Sequence, residues 1–327
     1  MTAGQHRTGE KYMNNSVNFR SLRIPALVAA LFIAAPVVAS AAEEPLPKFQ
    51  REKTVFKVEE GKWKGPRLAD GQPDVQGAWS NTIGNHSDLT QSGSYAERNR
   101  REGEAPARQV VRAPSRISDP ADGKVPFQPW AREKAEEFAK HLLDPIKPEY
   151  IEPLARCAPA GPSKSFMWHG FDIRQYKDYV VFLFDSGTRV IHLDNKPHLH
   201  QKVKLWNGDS RGHWEGNTLV VDVANNNGKG RFGRSGEFFS ENAKITERYV
   251  FDGDQQKFLY HATYEDPTVF TRPFTITIPI RRVEKFAHDN WNNILFPAKH
   301  AGKEKILERY EQICTENNGG HGNGGVR

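Results

Sequence analysis

"FDIRQYKDYVVFLFDSGTRVIHLD", residues 171–194, decides the fold class. Lys177-Asp178 and Ser186-Gly187 interrupt three runs rich in β-branched and aromatic residues, so the segment reads strand, turn, strand, turn, strand. The same punctuation continues downstream. "GHW" and "TLVVDVAN" flank Gly216-Asn217, a two-residue turn of the kind β-hairpins favour. "KITERYVFDG" and "KFLYHATYED" flank Gly253-Asp254, and "RPFTITIPIRRV" follows. About eight short strands at near-regular spacing predict a mainly β chain, an antiparallel up-and-down barrel of lipocalin-like kind. A β-sandwich is the alternative. A closed barrel of about eight strands holds either packed side chains or one small ligand.

The N-terminus has a separate logic. Arg20 and Arg23 precede the apolar run "IPALVAALFIAAPVVA", and small residues with Ala39 and Ala41 in an A-x-A pattern precede Glu43 and Glu44. That is the grammar of a secretory signal peptide over residues 1–42, too short and Ala-rich for a membrane span, so export to a periplasm with no retained membrane anchor is expected. Removing 1–42 takes away four Lys/Arg and one acid, which lowers the formal charge from +6 to +3. The remaining basic residues are interleaved with acids, a pattern that argues against nucleic acid as a partner.

Residues 43–150 are Pro- and Arg-rich and predict an extended arm that wraps the core. They hold one short strand near Val75–Trp79 and one helix in "VPFQPWAREKAEEFAKHLLDP". Pro129 suits its first turn, and Trp130, Ala131, Lys134, Ala135, Phe138 and Leu142 trace one face. The barrel is expected over 151–300, a C-terminal helix over 301–316 and a disordered Gly-rich tail over 317–327. Two cysteines in an exported chain favour a bridge, and Cys157 with Cys314 would fasten that last helix. Closing so long a loop is worth roughly 5 kcal/mol before strain.

Chemistry-bearing residues concentrate in three places. "NGDSRGHWEGNTLVVDVAN", residues 207–225, is largely explained as a hairpin, with Asp209 in a turn and Arg211 as a brace. His213 needs another reason; Glu215 on the same strand face could orient it as a general base inside the barrel. "HLDNKPHLH" sets His192 beside Asp194 in the same relation. His198 and His200 form a His-x-His pair that begins a metal site but lacks a third ligand by spacing, so no cofactor is expected. In "ERYVF" and "LYHATYEDP", Tyr249 and Tyr260 could donate to a developing oxyanion, and Glu247 could serve as a base or lie on the surface beside Arg248.

Phe182, Phe184, Trp206, Arg211 and Phe274 are the expected ligand contacts, and the long loop from Asn225 to Ala243 is the natural lid. Phosphate-cradling, dinucleotide, zinc-protease, nucleophile-elbow and haem motifs are not found in the chain.

Several segments are familiar in their order: "ADGQPDVQGAWS", "RCAPAGPSKS", "VIHLDNKPH", "GDSRGHWEGNTLVVDVAN", "YEDPTVFTRPFTITIPI" and "CTEN". Together they resemble a large, mostly uncharacterised family of exported bacterial proteins carrying a G-D-S-R-G-x-W-E-G-D-T-L-V-V-D motif. The resemblance brings no set of catalytic residues. This chain departs from the pattern at Asn195-Lys196, where Gly-Arg is usual, and at Asn217, where Asp is usual. The residues themselves point to a cofactor-independent acid–base enzyme (a lyase, isomerase or hydratase) acting on a small apolar or aromatic molecule. A periplasmic carrier that binds such a molecule without converting it is the alternative.

Overall fold

The computed structural model describes residues 56–81, 115–141, 145–167, 170–184, 187–233 and 236–282. The expected signal peptide, C-terminal helix, tail and Cys314 lie outside them. Ten strands form among the described residues: β1 (Gly77–Asn81), β2 (Ile117–Asp119), β3 (Gly170–Tyr176), β4 (Tyr179–Phe184), β5 (Gly187–His192), β6 (Asp209–Glu215), β7 (Thr218–Ala224), β8 (Lys244–Phe251), β9 (Lys257–Glu265) and β10 (Phe274–Arg282). Alternation sends Val180, Phe182 and Phe184 of β4, and Phe258, Tyr260, Ala262 and Tyr264 of β9, to one buried face.

Nine strands close into a barrel in the order β1, β3, β4, β5, β6, β7, β8, β9, β10 and back to β1. β1 lies between β3 and β10, pairing Trp79 with both Phe171 and Arg282. β2 lies further along the same edge of β10, where Ile117 faces Ile276. Among the described residues, closure leaves no long unpaired edge, the usual liability of a sheet.

Two expectations are corrected here. The arm does more than wrap, since its strand β1 is a stave of the barrel. The barrel also has nine strands, and it is not purely antiparallel. Strand directions that simply alternate cannot close on an odd number, so one neighbouring pair must run parallel. That pair is β5 and β6, joined at His192 and Arg211. The chain between them, residues 193–208, crosses the outside of the barrel from one end to the other.

Both ends of the barrel are covered. At the end where β6 turns into β7, Gly216 takes φ +62°, and a Cβ there would lie 2.0 Å from the Gly61 carbonyl oxygen. Asn217 beside it ties the arm down. Its Oδ1 accepts from Gly61 N–H at 2.8 Å, and its Nδ2 donates to the carbonyls of Glu59 and Phe251 at 2.9 and 2.8 Å. An amide, with both donor and acceptor, serves these three partners where a carboxylate would lack the donors.

At the opposite end, the 3-10 turn Lys164–Met167 drives Phe166 inside. Its ring centre lies 4.4 Å from Tyr260, 5.1 Å from Phe184 and 5.2 Å from Phe171. The interior is thus filled by aromatic rings, as a small barrel's interior commonly is by side chains.

One α-helix occurs among the described residues, α1 (Pro129–Lys140). Pro129 opens it, and Ala131, Ala135 and Phe138 form its buried stripe. Trp130 departs from the expected apolar face, being half-exposed. Gln128 N–H donates to the Val269 carbonyl at 2.8 Å, which docks the helix start onto the β9–β10 connection.

Candidate functional site

A buried polar network crosses the aromatic interior. Arg189 on β5 meets Glu247 on β8 through two parallel bonds, Nη1 to Oε1 at 2.8 Å and Nη2 to Oε2 at 2.6 Å. Both side chains are sealed from solvent, at 3% and 0% exposure. Arg189 also donates to Ser210 Oγ at 2.9 Å, and Tyr260 donates its hydroxyl to Glu247 Oε1 at 2.6 Å. The Ser163 hydroxyl links Tyr260 at 3.0 Å to Tyr264 at 2.7 Å. Burial opposes the guanidinium charge, but Glu247 outweighs it and raises Arg189 above its ordinary value. Burial first, then the charge of Glu247, holds the phenols of Tyr249 and Tyr260 well above theirs. These phenols stay protonated, yet Tyr260's proton is committed to Glu247 rather than to an incoming substrate.

The charged side chains of residues 208–225 lie on the outer wall, while Ser210, Leu219, Val221 and Val223 are buried. Asp209 accepts from Leu199 N–H at 3.0 Å, from Arg211 Nε at 3.1 Å, and faces His198 Nδ1 at 2.8 Å. Arg211 reaches on to Asp194 at 3.0 Å, while His198 Nε2 faces Asp222 at 3.0 Å. This chain of charges straps the crossover 193–208 to β6 and β7. His198 is therefore occupied on both nitrogens by carboxylates. His200 accepts from Lys202 N–H at 3.2 Å. Among the described residues no group of three or more His, Cys, Asp or Glu is arranged to hold a metal.

The strap makes an acid-sensitive element. Lys196 first, with help from Arg211, lowers Asp194 from 3.8 to about 2. Burial raises Asp209, but Leu199 N–H, Arg211 and His198 outweigh it and its net shift is downward. A carboxyl with a depressed folded pKa stabilises above its unfolded value and loses that contribution as pH falls to the folded one. The protection of residues 193–208 against hydrogen exchange, relative to that of β9 in the same sample, should therefore fall as pH drops from 3.8 towards about 2. Asp194→Asn should weaken the strap already at neutral pH and flatten that dependence. An unchanged profile in the variant would refute the strap.

The sequence-derived catalytic set is divided by the barrel wall. Tyr249 and Tyr260 point inward. His192, half-buried, and Asp194 belong to the outer strap region. His213 is 57% exposed on the outer wall, 3.1 Å from Glu215, which also pairs with Arg248. The even-numbered Ser210, Gly212 and Trp214 take the inward face of β6, so His213 and Glu215 must point out. The expected interior placement of His213 is corrected.

The ligand set is divided as well. Phe182 and Phe184 line the interior, and Phe274 stacks on Tyr264 near the plugged end. Arg211 is outside. Sequence motifs do not single out Arg189, Ser163 or Ser210, although Arg189 shares the inward alternation of Ile191 on β5.

Trp206 occupies a different place, a cleft of ≈ 460 Å³ beside the plugged end. Lys134 and Phe138 of α1 form one wall; Glu149, Ile151, Pro153 and Arg156 form the second. Gly228, Lys229, Arg231 and Phe238 of the expected lid complete it. The Arg231 guanidinium lies 4.1 Å over the Phe138 ring and donates to the Glu149 carbonyl at 2.9 Å. Close by, Lys164 places its ammonium 2.6 Å from both oxygens of Glu152. Burial pulls Lys164 down, opposed by Glu152. The volume falls within the range of roughly 300–1,000 Å³ typical of small-molecule sites.

Fold and site thus define a closed, mixed β-barrel with a packed interior and a lateral cleft. No protein-family model, no curated protein and no solved structure matches this chain.

Proposed function

We propose that the protein is a non-catalytic binding or carrier protein for a small organic molecule, and that its site is the cleft around Trp206. One observation carries this reading. The acid–base groups inside the barrel are engaged with each other under Phe166, whereas the cleft offers a concave, partly aromatic surface of ligand size. The acid–base enzyme reading is weaker, because its histidines and its tyrosines lie on opposite sides of the wall. For turnover at Glu247 and Tyr260, Phe166 would have to withdraw.

The deciding experiment is incubation of the purified protein with mixed small aromatic compounds, followed by mass spectrometry of the bound and free fractions. Retention of compounds with unchanged mass, weakened by Trp206→Ala, is the expected result. A product that forms with the natural chain and not with Glu247→Gln would overturn it in favour of a lyase, isomerase or hydratase.

Export, family membership and the bridge belong to the same proposal. They rest on the residue 1–42 pattern, the 208–225 motif and the cysteine pair. Sequencing of the cell-envelope form should begin near Ala42 or Glu43, and non-reducing peptide mapping should join Cys157 to Cys314.

A further inference from the structure

The cleft has a charge and a shape that narrow its ligand. Its rim and walls carry four cations, Lys134, Arg156, Lys229 and Arg231, against one acid, Glu149. Two further acids, Glu152 and Glu237, lie within electrostatic reach of Arg231, and Lys164 answers Glu152 directly. With those included the balance still stays positive. The aromatic walls are Phe138, Phe238 and Trp206. Lys134 Nζ lies 5.4 Å from both the Phe138 and the Phe238 ring centres, so cation and aromatic surfaces are interleaved. A neutral apolar guest would use the rings and leave the cations to water. A flat guest bearing a carboxylate or sulfonate would use both, with guanidinium groups suited to planar oxyanions.

Building on the binding reading above, we infer that the cleft selects a planar aromatic anion over its neutral and cationic counterparts. Arg156 and Lys229, both exposed at the rim, supply the charge preference. Trp206, half-buried in the cleft, supplies the surface on which the ring lies.

Three probes of one shape test this by calorimetry on the purified protein: 2-naphthoate, 2-naphthylmethanol and 2-naphthylmethylammonium. The expected result is binding of naphthoate at least about tenfold tighter than the alcohol, with the ammonium weakest and the preference shrinking as salt rises. Arg156→Gln with Lys229→Gln should remove most of that preference while leaving alcohol binding and the thermal midpoint in place. Trp206→Ala should weaken naphthoate and alcohol alike.

Equal binding of naphthoate and alcohol by the natural chain would overturn the charge selection and leave the cleft reading standing. A naphthoate preference untouched by the double substitution would place the anion elsewhere and overturn the assignment. No binding of any probe in the millimolar range would overturn both the selection and the cleft reading.

Discussion

Glu247→Leu is expected to lose about 3–5 kcal/mol of stability in equilibrium denaturation, because it leaves the Arg189 guanidinium buried without its counter-charge. The loss should appear as a fall in Tm on the order of 10 °C, given the usual few degrees per kcal/mol in a domain of this size. The pair is sealed at 3% and 0% exposure, so solvent cannot take over either half. Tyr260 and Tyr249 would also lose the carboxylate they face, at 2.6 and 3.3 Å.

The sharper test is the double substitution Arg189→Met with Glu247→Leu. Replacing both members of a buried pair by apolar groups is often neutral or stabilising, so the double variant should recover a substantial part of the loss. A single variant as stable as the natural chain would mean that the two groups do not meet inside the barrel.

Phe166→Ala is the second large effect. Removing a fully buried ring usually costs about 3–5 kcal/mol, transfer and cavity contributions together. Here the void would be lined by Phe171, Phe184, Tyr249 and Tyr260, whose ring centres lie 4.4 to 6.1 Å from that of the lost ring. If the surroundings do not collapse, benzene should enter and raise the Tm of the variant while leaving the natural chain unaffected. Equal stabilisation of both by benzene would show that the interior was already open.

The same variant separates the two functional readings. Withdrawing the plug uncovers Glu247 and Tyr260, so an acid–base enzyme should convert small aromatics faster once Phe166 is gone. A carrier that works through the cleft should show no conversion at all.

Much of this architecture is written locally. Strands β3, β4, β8, β9 and β10 were legible because alternation of buried and exposed residues is a property of the strand itself. Val180, Phe182 and Phe184 repeat at a period of two whatever surrounds them. The turn at Gly216-Asn217 was legible for the same reason, since a positive φ calls for glycine whether or not Gly61 lies close above it.

The site was less legible because alternation assigns residues to faces without saying which face is inside. On β6 the polar and apolar residues are too evenly mixed to choose, and closure of the barrel gave Ser210 and Trp214 the interior and His213 the solvent. Glu247 raised the same ambiguity. It became a buried residue rather than a neighbour of surface Arg248 because Arg189, 58 positions upstream, arrives opposite it.

The sequence by itself determined the β class, most strand positions, the hairpin turn and the helix start, all set by contacts within a few residues. Only the tertiary structure decided the nine-strand closure through β1, the parallel β5–β6 pair that an odd number requires, the burial of Arg189 with Glu247, and the cleft assembled from four separate segments. Those features depend on which distant segments become neighbours, and no local periodicity encodes that.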